Sequence, residues 1–303
     1  MQLTARDTEL LKAVLEYRFL TIEHFTWLFP QDPESKANSP WGISNRLRLL
    51  YHHGYLNRVS LPVSKSPNTM IYSMTEQGAQ LLSELEGVSR EEIPWQRHLN
   101  KITPTHVNHL LFINRVMIAF NAALASARAS RKVKAFKVSR GEPERNRISV
   151  NLRDEHGRRF KASVVPDAIM PVEFRSGQRG MFLLEIDRAT MTTKRWQEKV
   201  VVYREYAQQQ DKLYQRYGTD WFILLTITTG VKRIDSLAAA TTLSGGKRGY
   251  WFTTFDDINP QSALAPLWIR ASALYAIRND ELVRLTTPVK AQRDSLADSI
   301  KRR

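Results

Sequence analysis

The chain has 303 residues, with 45 lysines and arginines against 30 aspartates and glutamates, a formal charge of +15 and a pI near 10.1. That balance points to a polyanionic partner bound through its phosphates. The absence of cysteine excludes disulfides, thiolate nucleophiles and cysteine-ligated zinc. No run approaches the roughly 18 apolar residues of a membrane span, so double-stranded DNA is the expected partner and a membrane is not. The length suits two domains of about 100–200 residues each. The opening MQLTARDTELL lacks an apolar signal core, and the expected location is the cytoplasm.

Residues 1–83 read as one DNA-binding domain. Thr4 caps a first helix with Asp7 as the acidic member of a capping box, and Leu10, Leu11, Val14, Leu15 and Phe19 mark its apolar face. A second short helix starts at Thr21. After a polar loop, WGISNRLRLLYHHGYL reads as a third helix stopped by Gly54, with Ile43, Leu47, Leu50 and Tyr51 inward. Strands over 55–63 and 70–74 flank a turn, SKSPN, and Thr75 opens a fourth helix. Three helices, a hairpin and a closing helix make a winged helix-turn-helix whose third helix enters the major groove. Its polar residues Ser44, Asn45, Arg46, Arg48 and His52 are the candidate DNA contacts, with Arg58, Lys65 and Asn68 on the wing for phosphates or the minor groove. His53, beside His52 at the helix end, is read as capping carbonyls or touching phosphate.

Residues 84–104 lose periodicity and read as a connector packed by Trp95. A long helix from Thr105 opens a second domain over 105–260, in which His106 and His109 are read as packed or hydrogen-bonded histidines. Strand-like runs KVKAFKVS, RISVNL, RRFKASVVPDAIM and MFLLEIDRAT follow, then a helix over 194–210, the apolar strand WFILLTITT, another helix and GYWFTTF. This order predicts a mixed sheet flanked by helices. Residues 261–303 read as an extension with one apolar stretch, LAPLWI, and a basic tail. The fold class is therefore α+β: a winged helix followed by an α/β domain.

The densest chemistry lies between Val164 and Tyr206. Glu185 and Asp187 are two apart on one strand and so share a face, and pairing of the two apolar runs brings in Asp167. Buried carboxylates need a cation or basic partners. Two outcomes are open: a metal site, or ion pairs of Asp187 with Arg188 and Glu185 with Lys199.

Pro166-Asp167-Ala168, Glu185-x-Asp187-Arg188-x-Thr190 and Lys199-x-x-x-Tyr203, together with the first domain, resemble the replication-relaxation family of plasmid and mobile-element proteins over most of residues 1–230. The resemblance implies a DNA-binding accessory role in replication, DNA relaxation or mobilisation, alongside other replication or mobilisation proteins. The second domain also looks like the PD-(D/E)xK, restriction-endonuclease-like fold. That likeness implies Mg²⁺ held by Asp167 and Glu185, with a catalytic set of Asp167, Glu185, Asp187 and Lys199. Position 187 is Asp where that fold carries lysine. Either the lysine has moved to Lys194 or Lys199 on the next helix, or the architecture has outlived the reaction. The alternatives to the accessory role are thus a Mg²⁺-dependent endonuclease and a winged-helix repressor whose second domain dimerises or senses.

Overall fold

The computed structural model describes residues 2–31, 39–63, 66–101, 103–278, 281–284, 293–294 and 296. The protein is a mixed α+β molecule. Its contacts divide it into two compact units, Met1–Ile118 and Ala119–Arg303. The division falls inside a helix, past the 84–104 segment that reads as a connector in the sequence.

The first unit begins with α1 (Ala5–Tyr17), whose N-terminus Thr4 and Asp7 close as a capping box. A two-residue strand, β1 (Leu20–Thr21), leads into α2 (Ile22–Leu28), where the Thr21 hydroxyl caps the His24 amide. Ser39 caps α3 (Pro40–His52) by accepting from Gly42 N at 3.1 Å, and proline at the first helical position needs no amide partner. The hairpin strands are β2 (Leu56–Val63) and β3 (Ser66–Met74), and β1 pairs with β3 to give a three-stranded antiparallel sheet in the order β1-β3-β2. The strand starts at Ser66 rather than Met70, because Thr69 and Ser66 still pair with Leu61 and Val63. Lys65 lies outside the described residues, as does the side chain of Asn68.

Thr75 and Gly78 lock the hairpin to α4 (Glu76–Glu86). The Thr75 hydroxyl donates to Gly54 O at 2.6 Å and accepts from Gly78 N at 3.0 Å. A Cβ on Gly78 would stand 2.1 Å from the Tyr55 carbonyl oxygen, so only glycine lets the helix start this close to the chain leaving α3. Two 3₁₀ turns follow, Arg90–Glu92 and Arg97–Asn100. Arg90 lies 5.6 Å from the Trp95 ring and binds Glu76 at 2.8 Å, and Asn100 donates to Met74 O at 2.7 Å. The segment over 84–104 is thus packed into the first unit.

One described helix, α5 (Pro104–Ala129), has the length and mean hydropathy, 1.6, to cross a membrane. The sequence reading missed this because the run is interrupted by polar residues. Those residues have partners in the first unit. Asn114 is fully buried and donates to Tyr17 O at 2.9 Å and Phe19 O at 2.8 Å, and Arg115 sits over Trp27. Val107 and Leu111 pack with Phe19 and Ile71. The apolar surface of this helix is spent on a protein core. His106 is exposed and meets the Thr103 hydroxyl at 2.8 Å, a local cap rather than a core contact.

In the second unit, β4 (Val133–Phe136), β8 (Ala168–Phe174) and β9 (Arg179–Ile186) form an antiparallel meander. The short β5 (Ser139–Arg140) also pairs with β8, and α6 (Pro143–Asn146) follows it. After β9 the chain runs through α7 (Thr193–Ala207) and α8 (Gln210–Tyr217) to β10 (Ile223–Thr228), parallel to β9. Then α9 (Val231–Leu243) leads to β11 (Tyr250–Thr254), parallel to β10. The strand β12 (Trp268–Arg270) pairs antiparallel with β11, and β15 (Arg293–Asp294) with β12. The sheet order is β15-β12-β11-β10-β9-β8-β4. The extension read as one apolar stretch and a basic tail adds strands to the sheet, because Trp268 and Ile269 of that stretch bury themselves against its faces. A short α10 (Ala271–Leu274) and a hairpin of β13 (Tyr275–Arg278) and β14 (Glu281–Arg284) lie against α9.

Strand alternation sorts the two faces of this sheet. Met181, Leu183, Leu224 and Phe252 meet Trp196, Val200, Tyr203 and Leu237 of α7 and α9. On the other face, Trp268 stacks on Phe120 of α5 at 6.3 Å. The runs RISVNL and RRFKASVV leave the main sheet: β6 (Ile148–Arg153) and β7 (Arg159–Val164) form their own two-stranded ribbon.

Buried His24 makes the first unit acid-sensitive. Its Nδ1 accepts from Thr21 N at 3.1 Å, and burial and the charge of Arg115 hold its pKa down at about 3. With the folded value below the unfolded one of about 6.5, the unfolded chain takes up the proton first. Stability is full above about pH 6.5 and falls as pH drops toward 3, by up to about 1.4 kcal/mol per pH unit from this group. Urea unfolding at pH 7, 6 and 5 checks this: His24→Gln should flatten the slope below pH 6.5, and an unchanged slope rules the histidine out.

Candidate functional site

The third helix separates its residues by function. Ile43, Leu47 and Leu50 are fully buried, at i, i+4 and i+7, each contributing about 1.5–3 kcal/mol by leaving water. On the opposite side, Trp41, Asn45, Arg48 and His52 recur at i, i+4, i+7 and i+11, so they line one face. Arg48 and His52 are exposed, Ser44 and Asn45 half-buried on or beside that face. Arg48 donates to Asn45 Oδ1 at 2.9 Å, which holds both side chains side by side. Trp41 is 78% exposed. The sequence reading passed it over, although an aromatic on the polar stripe of an amphipathic helix was a visible signal.

Arg46 belongs to a different task. Its Nε donates to Asp7 Oδ1 at 2.8 Å, a second guanidinium nitrogen reaches Oδ2, and the Asp7 side chain is fully buried. Burial works against the charge on Asp7, yet the Arg46 and Thr4 donors hold its pKa below the ordinary carboxylate value. Arg46, expected among the DNA contacts, ties α3 to the start of α1 through this pair. Arg58 lies 4.6 Å over the Tyr51 ring, bracing the hairpin against α3. His53 meets Leu49 O at 2.9 Å, the carbonyl-capping role expected of it.

The second unit gathers the Asp, Glu, Lys and Tyr of the sequence motifs. Antiparallel register places Ala168 opposite Leu184, and Asp167 N donates to Leu184 O at 2.9 Å. Asp167 Oδ2 then accepts from Ile186 N at 2.7 Å, beside Glu185. Glu185 is buried, and each of its oxygens has a donor from α7: Lys199 Nζ at 2.5 Å on Oε2 and the Tyr203 hydroxyl at 2.6 Å on Oε1. The i, i+4 spacing of Lys199 and Tyr203 sets both over one strand position. Burial and the neighbouring Asp167 charge raise the pKa of Glu185. Burial would lower that of Lys199, but the Glu185 and Asp167 carboxylates outweigh it, so the ammonium stays charged. Lys194 is exposed on the first turn of α7.

Asp187 shares the face of Glu185 but not its partners. Its Oδ2 accepts from the Thr228 hydroxyl and from Arg233 Nε, both at 2.7 Å, and Oδ1 accepts from Arg233 at 3.0 Å. The same guanidinium reaches Met191 O at 2.7 Å and so pins the loop after β9, where Ala189 turns with φ +58°. Arg233 reaches Asp187 from α9, 46 residues further along the chain. Arg233 was missed because nothing in the local pattern of α9 marks it, and only the parallel β9-β10 register brings its helix to Asp187. Among the described residues no three Asp, Glu or His side chains come together in a metal-holding group.

Residues 11–219 match the Replication-relaxation family. The match spans more than half of the chain, and the chain belongs to that family. No curated protein matches it. Membership points to a protein associated with the replication of mobile elements.

Removing one partner of a buried ion pair strands a charge and costs about 3–5 kcal/mol. Arg233→Met should lower the free energy of unfolding by about that much, and adding Asp187→Leu should restore most of it, as read by urea titration. Equal stability of Arg233→Met and wild type would show that Asp187 is not held by this arginine.

Proposed function

We propose that this member of the Replication-relaxation family is a DNA-binding accessory protein that acts in the replication, relaxation or mobilisation of a mobile element. The observation that carries the reading is the solvent-facing stripe of α3, which holds Asn45 and Arg48 side by side opposite a fully buried apolar face. A helix of this build, followed by a hairpin and a capped fourth helix, suits a winged helix-turn-helix with α3 in the major groove. Asn reads adenine and Arg reads guanine in bidentate geometry, each pair worth about 1–3 kcal/mol of discrimination. Trp41, at the N-terminal end of the stripe, offers an apolar surface for a thymine methyl. The charge of +15 supplies the sequence-independent attraction.

Fluorescence anisotropy of the full chain on labelled duplexes tests the reading. Wild-type affinity should fall steeply with salt. Asn45→Ala with Arg48→Ala should weaken binding by about tenfold or more at matched salt, since each lost contact is worth about 1–3 kcal/mol, and should leave the melting temperature unchanged. Arg46→Ala should instead lower the melting temperature, since it strands buried Asp7. Unchanged affinity in the Asn45/Arg48 double variant would remove α3 from the DNA interface.

For the second unit we infer a nuclease-like architecture that has kept its form and lost the reaction. The meander β4-β8-β9, the crossover through α7 and the parallel β10 support the architecture, with Asp167 and Glu185 where that fold keeps its acidic pair. What speaks for loss of the reaction is the donor set. Both oxygens of Glu185 already accept hydrogen bonds, and the Lys199 ammonium neutralises the two carboxylates that would otherwise hold Mg²⁺. Calorimetry with Mn²⁺ should show no saturable binding, and supercoiled plasmid should stay intact with Mg²⁺. Saturable binding that Asp167→Ala abolishes, together with nicking, would reinstate the endonuclease.

A further inference from the structure

The ribbon of β6 and β7 divides its residues between two faces. Register pairs Ile148 with Val164, Val150 with Ala162 and Leu152 with Phe160; all of these but Phe160, which is exposed, join the core that α7 shares. The intervening pairs, Ser149 with Ser163, Asn151 with Lys161 and Arg153 with Arg159, therefore share the opposite face. That face holds three cations, an amide and two hydroxyls, and no carboxylate. A ribbon meant only to cover α7 has no need of such a set; mixed signs are the usual state of a solvated face.

The aspartate at the ribbon tip is engaged locally, and Glu155 beside it meets His156 at 3.5 Å. Asp154, at the ribbon tip, accepts from Arg158 Nε at 2.8 Å and from the amides of His156 and Arg158. Arg153 donates to Gly157 O at 3.1 Å, which stiffens the tip. Arg159 and Lys161 are exposed and have no ion pair among the described residues. Two strand steps separate them by about 7 Å, and hydrogen-bonding side chains of Ser and Asn flank them.

We propose that this face of the ribbon is a second DNA contact, gripping the phosphate backbone of a duplex. The proposal rests on the DNA-binding reading given above and extends it to the second unit. A two-stranded antiparallel ribbon has the cross-section that the major groove of DNA admits. Arg and Lys with Ser and Asn are the side chains that contact phosphate oxygens. Such contacts carry no sequence information, so the ribbon adds affinity and register while α3 reads bases.

The test uses the full chain and a mixed-sequence duplex, with affinity measured from 50 to 300 mM KCl. Arg159→Ala with Lys161→Ala should weaken binding by about tenfold, equally for unrelated sequences, and lower the slope of log affinity against log salt by about two, one per lost phosphate contact. Its melting temperature should match wild type, and Arg159→Lys with Lys161→Arg should restore binding. If the ribbon variant binds like wild type while the Asn45/Arg48 variant fails, the ribbon proposal is overturned and the DNA reading stands. If wild type has no duplex affinity even at 50 mM KCl, both fall. Tighter binding to an RNA duplex than to DNA, lost in the ribbon variant, overturns the assignment to DNA.

Discussion

Charge taken out of water organises the second unit. Glu185 and Asp187 lie at the end of β9, each only 2% exposed, and a carboxylate in that position is tolerated only with donors around it. Lys199 and Tyr203 serve the first, and Thr228 and Arg233 the second. These four residues come from α7, β10 and α9, so the docking of two helices and one strand is tied to two acids two positions apart. The apolar contacts of Trp196, Val200 and Leu237 supply most of the attraction. The ionic contacts decide where along the sheet the helices stop.

The first unit solves a similar problem at smaller scale. Asp7 caps α1 and, fully buried, binds Arg46 of α3. That pairing sets the angle at which α3 leaves its neighbours, and hence which of its residues meet solvent. Arg46 is thus turned toward α1, while Asn45 and Arg48 on the next face are hydrogen-bonded to each other.

Placing the Lys199 ammonium beside the Glu185 and Asp167 carboxylates offsets charge that burial would otherwise make costly. A divalent cation and a lysine both neutralise the pair, but the lysine is covalently supplied and needs no open coordination site. Tyr203 completes the set by donating to the remaining Glu185 oxygen, and burial with the Glu185 charge raises its own pKa well above the usual phenol value, so the proton stays on the phenol.

Periodicity and capping chemistry determined much of this protein by themselves. Thr4 with Asp7, Thr21, Gly54 and Thr75 mark helix ends that the structure keeps, and the inward face of α3 is legible from Ile43, Leu47 and Leu50. The spacing of Glu185 from Asp187 and of Lys199 from Tyr203 correctly placed each pair on one face. Local signals of this kind act over a turn of helix or two strand positions, which is why the chain alone reveals them. Tertiary structure decided the partners: Arg233 for Asp187, Asp7 for Arg46, a separate ribbon for β6 and β7, and sheet strands beyond residue 260. Each of these joins residues far apart in the chain, where the choice rests on which charges are desolvated together and which strand edge is left to pair, and neither is a property of any single segment.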